Sequence, residues 1–223
     1  RKMHDEMVRK SLLEKDTIEA IKQDEFIAYY QPKVDREGKI VGVESLIRWY
    51  YDRRKTYIPP LDFIPIAEKN GRIVDIGNNV LYQSCLQNRK WIDAGYKPLR
   101  ISVNLSVYQF RQKNLVNMIR RILKETSLDP QYLDLEITES GILENEEENI
   151  KTLNELHDMG ISITIDDFGT GYSSLSKLKE LPISTLKIDK EFVDSLPFDT
   201  KSITIARSII DLAHNLEFSV VSE

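Results

Sequence analysis

Residues 161–189 read ISITIDDFGTGYSSLSKLKELPISTLKID. In the first six, Ile161, Ile163 and Ile165 fall on one face of an extended chain, and Ser162, Thr164 and Asp166 on the other. A loop with two glycines, Gly169 and Gly171, follows. A short helix is expected near Ser174–Glu180, then a second strand over Thr185–Asp189. A strand, a helix and a strand in this order predict a parallel pair.

The same alternation continues outward in both directions. Downstream come a helix over Ile203–Leu216 and a strand over Phe218–Val221. Upstream come strands over Tyr132–Thr138 and Arg100–Leu105, with helices over Glu146–Met159 and Leu115–Glu125. Farther upstream the order changes. Strands over Phe26–Val34 and Ile40–Trp49 are joined only by Arg36-Glu37-Gly38-Lys39, which makes them antiparallel. Helices are expected over Leu61–Lys69 and Val74–Ala94, and a charged helix over residues 1–24. Seven strands are expected, and the chain stops just after the seventh. An eight-stranded α/β barrel takes about 250 residues, so the expectation is a barrel that lacks its C-terminal part in this chain. A doubly wound open sheet fits less well, because no glycine-rich phosphate loop follows any strand.

The composition narrows the function classes. The chain has 223 residues, 31 Lys plus Arg against 36 Asp plus Glu, and a net charge of -5. Mild acidity argues against a grip on DNA or RNA, which wants a basic footprint. The one cysteine, Cys85, lies in an apolar helical run and is expected to be a small buried residue. No stretch of about 18 apolar residues occurs, so no membrane span is expected. With no apolar signal-peptide core near Arg1–Lys15, the expected location is the cytoplasm, in a protein of its own or as the cytosolic part of a larger membrane-anchored one.

The chemistry rests on polar residues that recur at strand ends. A buried parallel strand usually reads as apolar throughout. Here Asn104, Glu136, Asp166 and Lys187 with Asp189 occupy the polar faces of successive strands. Glu44 shares a face with Leu46 and Arg48, and the last strand ends on Glu223. C-terminal strand ends are where barrel active sites sit. Five carboxylates, Glu44, Glu136, Asp166, Asp167 and Glu223, cannot all ionise in a confined site without positive charge beside them. Lys187 supplies one such charge. Hard divalent cations, which accept carboxylate and amide oxygens, would supply the rest. No His or second Cys lies on these strand ends, which argues against zinc. Two such cations suit a phosphodiester substrate.

Several ordered motifs give the chain a family resemblance. They include Tyr30-Gln31-Pro32, Gly42-Val43-Glu44-Ser45-Leu46-Ile47-Arg48-Trp49, Phe63-Ile64-Pro65-Ile66-Ala67-Glu68 and Ser102-Val103-Asn104-Leu105-Ser106. Downstream stand Leu135-Glu136-Ile137-Thr138-Glu139-Ser140, the run from Asp166 to Leu175, and Leu186-Lys187-Ile188-Asp189. Over residues 20–223 the chain resembles the EAL domain, the bacterial phosphodiesterase of cyclic di-GMP. The resemblance implies a modified TIM-type (β/α)8 barrel with an antiparallel first strand, here residues 23–223. Residues 1–22 would form an N-terminal helix that caps the barrel or links it to an upstream sensor or cyclase domain.

The resemblance also implies a set of roles. Glu44, Asn104, Glu136, Asp166, Asp167 and Glu223 fall on metal-coordinating positions. Lys187 falls on the lysine that contacts the attacking water, so Lys187, Glu44 and Glu223 carry the catalytic roles. Gln31, Leu46, Arg48 and Asp189 fall on ligand-contacting positions, and Glu139 on the glutamate that steadies the loop after Asp167. Two Mg²⁺ or Mn²⁺ ions are implied, with Ca²⁺ as an inhibitory occupant. The implied partners are cyclic di-GMP and a second copy of the domain, with no nucleic acid polymer and no membrane contact. The reaction would give linear pGpG. A catalytically silent receptor is the alternative. Filled metal positions favour the enzyme. Two departures stand out. Ser45 replaces the signature's alanine but points away from Glu44, and Ser222 replaces an alanine before Glu223.

Overall fold

The structure, a computed structural model, describes residues 2–52, 55–143, 146–169 and 178–222. The chain divides into two compact units, residues 1–128 and 129–223.

The first unit opens with α1 (Lys2–Lys22), followed by β1 (Phe26–Val34) and β2 (Ile40–Tyr51). Those two strands pair antiparallel, with Gln31 opposite Glu44 and Tyr29 opposite Leu46. The turn between them is closed by Asp35, whose carboxylate accepts the N–H groups of Glu37 and Lys39 at 3.0 and 2.9 Å. A short β3 (Thr56–Ile58) adds to β2 antiparallel, Tyr57 opposite Tyr50. Then come α2 (Pro60–Lys69), α3 (Ile73–Asp93), β4 (Arg100–Asn104), α4 (Val107–Phe110) and α5 (Leu115–Thr126). β4 runs parallel to β2, with Glu44 beside Ser102. The expected change from antiparallel to parallel pairing is therefore present. β3 and α4 are additions to the expected elements.

An aromatic cluster holds this unit together. Phe26, Trp49 and Phe63 are fully buried and meet with ring centroids 5.1–5.6 Å apart. The Trp49 Nε1–H donates to Glu25 at 2.8 Å, so the indole's polar atom is satisfied. Leu13 and Ala20 of α1 pack into the same cluster. The Tyr51 hydroxyl donates to Asp16 of α1 at 2.7 Å. The second half of α1 is thus built into the unit's core.

The second unit holds β5 (Leu133–Thr138), α6 (Glu139–Leu143), α7 (Glu146–Asp158), β6 (Ser162–Phe168), β7 (Thr185–Ile188), α8 (Lys190–Asp194), α9 (Thr200–Asn215) and β8 (Ser219–Ser222). The four strands pair parallel in sequence order. Leu133, Leu135, Ile137, Ile163 and Leu186 are wholly buried on the apolar faces, as are Leu153 and Leu156 of α7. α9 starts three residues earlier than expected because Asp199 caps it, accepting from the N–H groups of Lys201 and Ser202. The helix expected over 174–180 falls for the most part outside the described residues. Among the described residues no helix is long and apolar enough to cross a membrane.

Phe63 tests the aromatic cluster. Phe63→Ala should cost about 3–5 kcal/mol of stability, read as a lower urea midpoint. A loss under about 1 kcal/mol would show that Trp49 and Phe26 can close the cavity.

Candidate functional site

In the first unit the site residues converge around β2. The alternation of faces holds here. Glu44 is buried and accepts a hydrogen bond from Asn104 Nδ2 at 3.1 Å. Ser45 points the other way, into α3, and its hydroxyl lies 2.6 Å from Ser84 Oγ. Ser84 in turn donates to the Val80 carbonyl at 2.7 Å. The serine in place of alanine is therefore absorbed by one buried hydroxyl pair on the helix side.

Arg48 shares the face of Glu44 and Leu46. Its guanidinium lies over the Tyr29 ring, 5.8 Å from the centroid, and one Nη1–H donates to the Ile47 carbonyl at 2.8 Å. Gln31, opposite Glu44, is exposed. The chain turns into a helix just beyond Asn104. Two residues on, Ser106 caps α4 in a reciprocal capping box with Gln109. Gln109 also donates to Asn78 Oδ1 at 3.1 Å. Its side chain fills the space beside Gly77, where any Cβ would overlap it. Gly77 and Gln109 escaped the sequence reading. The signal was the Ser-x-x-Gln spacing that starts a helix.

In the second unit a lysine organises the carboxylates. Lys187 and Glu136 are each 1% exposed. Lys187 Nζ donates to Glu136 Oε2 at 3.0 Å and reaches Asp166 Oδ2 at 3.5 Å. Deeper along the same face, Thr164 donates to the buried Asp134 carboxylate at 2.9–3.0 Å. Asp134 was not among the expected site residues, although it shares the face of Glu136 by the same two-residue period. Burial pushes the Asp166 carboxyl up to about 6. Lys187 pulls it down, Glu136 opposes that pull, and the Asp167 N–H lowers it by more than the Asp167 charge raises it.

Asp167 follows with a positive φ of 54°, and its N–H donates to Asp166 Oδ1 at 2.9 Å. Glu139, at the start of α6, is buried and accepts the Gly169 N–H at 3.2 Å. Gly169 has a φ of +104°. A Cβ there would stand 3.0 Å from both Ile209 Cδ1 and Phe192 Cε2, so only glycine fits without displacement. Asp189 caps α8, accepting the Glu191 N–H at 2.7 Å. Glu223 and the loop residues 170–177 lie outside the described residues.

The donor set is carboxylate and amide oxygen, which fits a hard divalent cation. Among the described residues, however, no three His, Cys, Asp or Glu side chains stand together so as to hold an ion. Their carboxylates are engaged by Asn104, Lys187 and Thr164 instead. Cys85 is buried, and burial pushes its thiol up to about 12. That marks it as inert packing, as expected.

Parallel strands with ionisable groups at their ends, behind an antiparallel first pair, define an α/β protein of the modified TIM-barrel type. Residues 14–223 match the EAL domain model, and the chain belongs to the EAL domain family. It is 42% identical over 209 residues to the bifunctional diguanylate cyclase/cyclic di-GMP phosphodiesterase MucR of Pseudomonas aeruginosa, covering 93% of this chain and 30% of MucR. It is 36% identical over 204 residues to the cyclic di-GMP phosphodiesterase PdeR of Escherichia coli, covering 92% of this chain and 31% of PdeR. The chain thus spans under a third of the length of these relatives. A solved structure described as the PaMucR phosphodiesterase in complex with c-di-GMP superposes with a TM-score of 0.91 at 42% identity, over 95% of this chain and 85% of that one. The resemblance read from the motifs is borne out.

Two predictions follow from the second unit. Asp166 binds its proton more tightly in the folded state than at its ordinary value near 3.8, so the stability it contributes is full below that value and is lost as pH rises through about 6. In chelator-treated protein, Asp166→Asn should raise unfolding stability at pH 7–8 by roughly 1–3 kcal/mol, the gain fading toward pH 4. A gain that does not vary with pH would refute the burial argument. Gly169→Ala should cost about 1–3 kcal/mol through backbone strain and the two close contacts. Denaturant titration reads it, and an unchanged midpoint would sink it.

Proposed function

We propose that this domain hydrolyses one phosphodiester of cyclic di-GMP to give linear pGpG. The observation that carries the reading is Lys187, buried in ion pairs with Glu136 and Asp166 among the strand ends of an EAL domain. The names of MucR and PdeR and the c-di-GMP complex of PaMucR support the substrate.

In this proposal Glu44, Asn104, Glu136, Asp166, Asp167 and Glu223 hold two Mg²⁺ or Mn²⁺ ions. Bound there, the ions would acidify a water and offset negative charge on the phosphate. The chain's own groups do the rest. Lys187 donates a hydrogen bond to the attacking water and to the charge that grows on it. Arg48, whose described partners are a carbonyl and a tyrosine ring, keeps a fork free for a phosphate oxygen. Gln31, Leu46 and Asp189 contact the ligand. Glu139 fixes the start of the loop after Asp167 through Gly169. Water oxygen bonds to phosphorus, the bond to the 3′ oxygen breaks, and the proton passes to that leaving oxygen. The domain would work in the cytoplasm as a dimer, joined to further domains of a longer protein.

A second reading is a silent receptor that binds cyclic di-GMP without turnover. The observation on its side is that the described carboxylates are already paired and form no three-acid cluster.

The protein incubated with cyclic di-GMP and Mg²⁺ or Mn²⁺ should release pGpG, and a chelator should stop it. Glu44→Ala should lower turnover by about 100-fold or more, since even an outer partner of a metal ligand is worth roughly 10- to 100-fold. Binding without pGpG would establish the receptor instead, and full activity in Glu44→Ala would remove that residue from the proposed ligand set.

A further inference from the structure

Beyond Arg48, the ligand-facing side of the first unit continues into tyrosines that the family resemblance does not assign. The pairing places them. Directly opposed residues share a face of the sheet. Gln31 lies opposite Glu44, Tyr29 opposite Leu46 and Tyr57 opposite Tyr50. Glu44, Leu46, Arg48 and Tyr50 alternate along β2, so all these residues look out from one side. That side is the one on which Asn104 meets Glu44.

These tyrosines are organised but not buried. Tyr29 is 42% and Tyr57 47% exposed. Their hydroxyls meet at 2.5 Å, and their rings stand edge to face with centroids 5.9 Å apart. Tyr50 braces Tyr57 from the next strand at 5.2 Å. Arg48 lies over Tyr29. Large aromatic surface left in water costs free energy, and here it is held rigid by partners on both sides. A rigid aromatic wall beside a guanidinium matches a nucleotide in both its parts. The cation takes phosphate oxygens, and the ring takes the flat face of a base.

The spacing also fits. With a rise of about 3.4 Å per residue, Leu46 and Tyr29 stand roughly 7 Å along the strand from Glu44. Tyr57 then reaches back to Tyr29 through its hydroxyl. A phosphodiester held near Glu44 would carry its nucleoside outward over this wall.

We propose that Tyr57 and Tyr29 form a base-stacking subsite, on which one purine of the cyclic dinucleotide rests while Arg48 engages the phosphate side. This rests on the cyclic di-GMP reading above and adds a specificity element to it. The recognition is by ring area, so the tyrosine hydroxyls orient the wall and the rings do the binding.

The test is the calorimetric dissociation constant for cyclic di-GMP, measured with Ca²⁺ in place of Mg²⁺ to suppress turnover. Tyr57→Leu should weaken binding by about 5- to 150-fold, the range for removing one base–aromatic stack. Tyr57→Phe keeps the ring and should bind nearly as tightly as the unaltered protein. A purely structural hydroxyl pair would give equal losses, with Tyr57→Phe weakened as much as Tyr57→Leu, and that result overturns the subsite. So does a Tyr57→Leu protein that binds like the unaltered one. If the unaltered protein itself shows neither binding nor pGpG formation, the cyclic di-GMP reading fails and the subsite with it.

Discussion

The charge on Lys187 is the constraint around which the second unit is arranged. Removing an ammonium from water costs several kcal/mol, and each carboxylate removed with it costs a similar amount. Their mutual attraction offsets this only when the geometry is good and the remaining polar atoms are bonded. Lys187 meets Glu136 at 3.0 Å, and Asp166 closes the other side at 3.5 Å. The three residues come from three different strands, so the arrangement fixes the register of β5, β6 and β7 together. A slip of one residue in any strand would swap its faces. Lys187 would then point among Leu186 and Ile188's helix-side neighbours, with no carboxylate to meet it.

That inversion of the usual parallel strand is what made the fold readable. Parallel strands covered on both faces are apolar throughout, and these are apolar on one face only. The polar residues at 104, 136, 166 and 187 therefore marked which face looks inward. The same logic predicted that Ser45 points away from Glu44, and Ser45 is found against Ser84 on α3. The antiparallel first pair was legible for a simpler reason, since no crossover fits into the turn at Gly38. Long helices and strands were legible because their periodicity extends over many residues.

What escaped was short or depended on residues far apart in sequence. α4 and α8 each last four or five residues and exist through their caps, Ser106 and Asp189. β3 is three residues on the edge of a hairpin and has too little pattern to read. The capping and site roles of acids are also hard to separate in sequence. Asp166 and Asp189 both end a strand on its polar face, yet Asp166 meets Lys187 and Asp189 turns to the Glu191 N–H. The Tyr29–Tyr57 pair joins residues 28 apart, and nothing local to either tyrosine announces the other.

The two units treat their carboxylates differently, and the difference bears on where a cation has most to offer. Glu44 has a neutral amide as its described partner, which steadies one oxygen without cancelling charge. A buried carboxylate favours positive charge close by. Asp166 and Glu136 already share one in Lys187, although it is not enough for both, because burial still drives the Asp166 proton affinity up to about 6. Burial penalises charge on these acids, and Lys187 offsets part of that penalty. The lysine therefore serves as partial compensation. It lowers the Asp166 proton affinity without returning it to the ordinary carboxylate range. A second lysine in its vicinity would lower the Asp166 proton affinity further. A methionine in its place would take that cation from the acids, and the folded state would meet more of the cost of burying them.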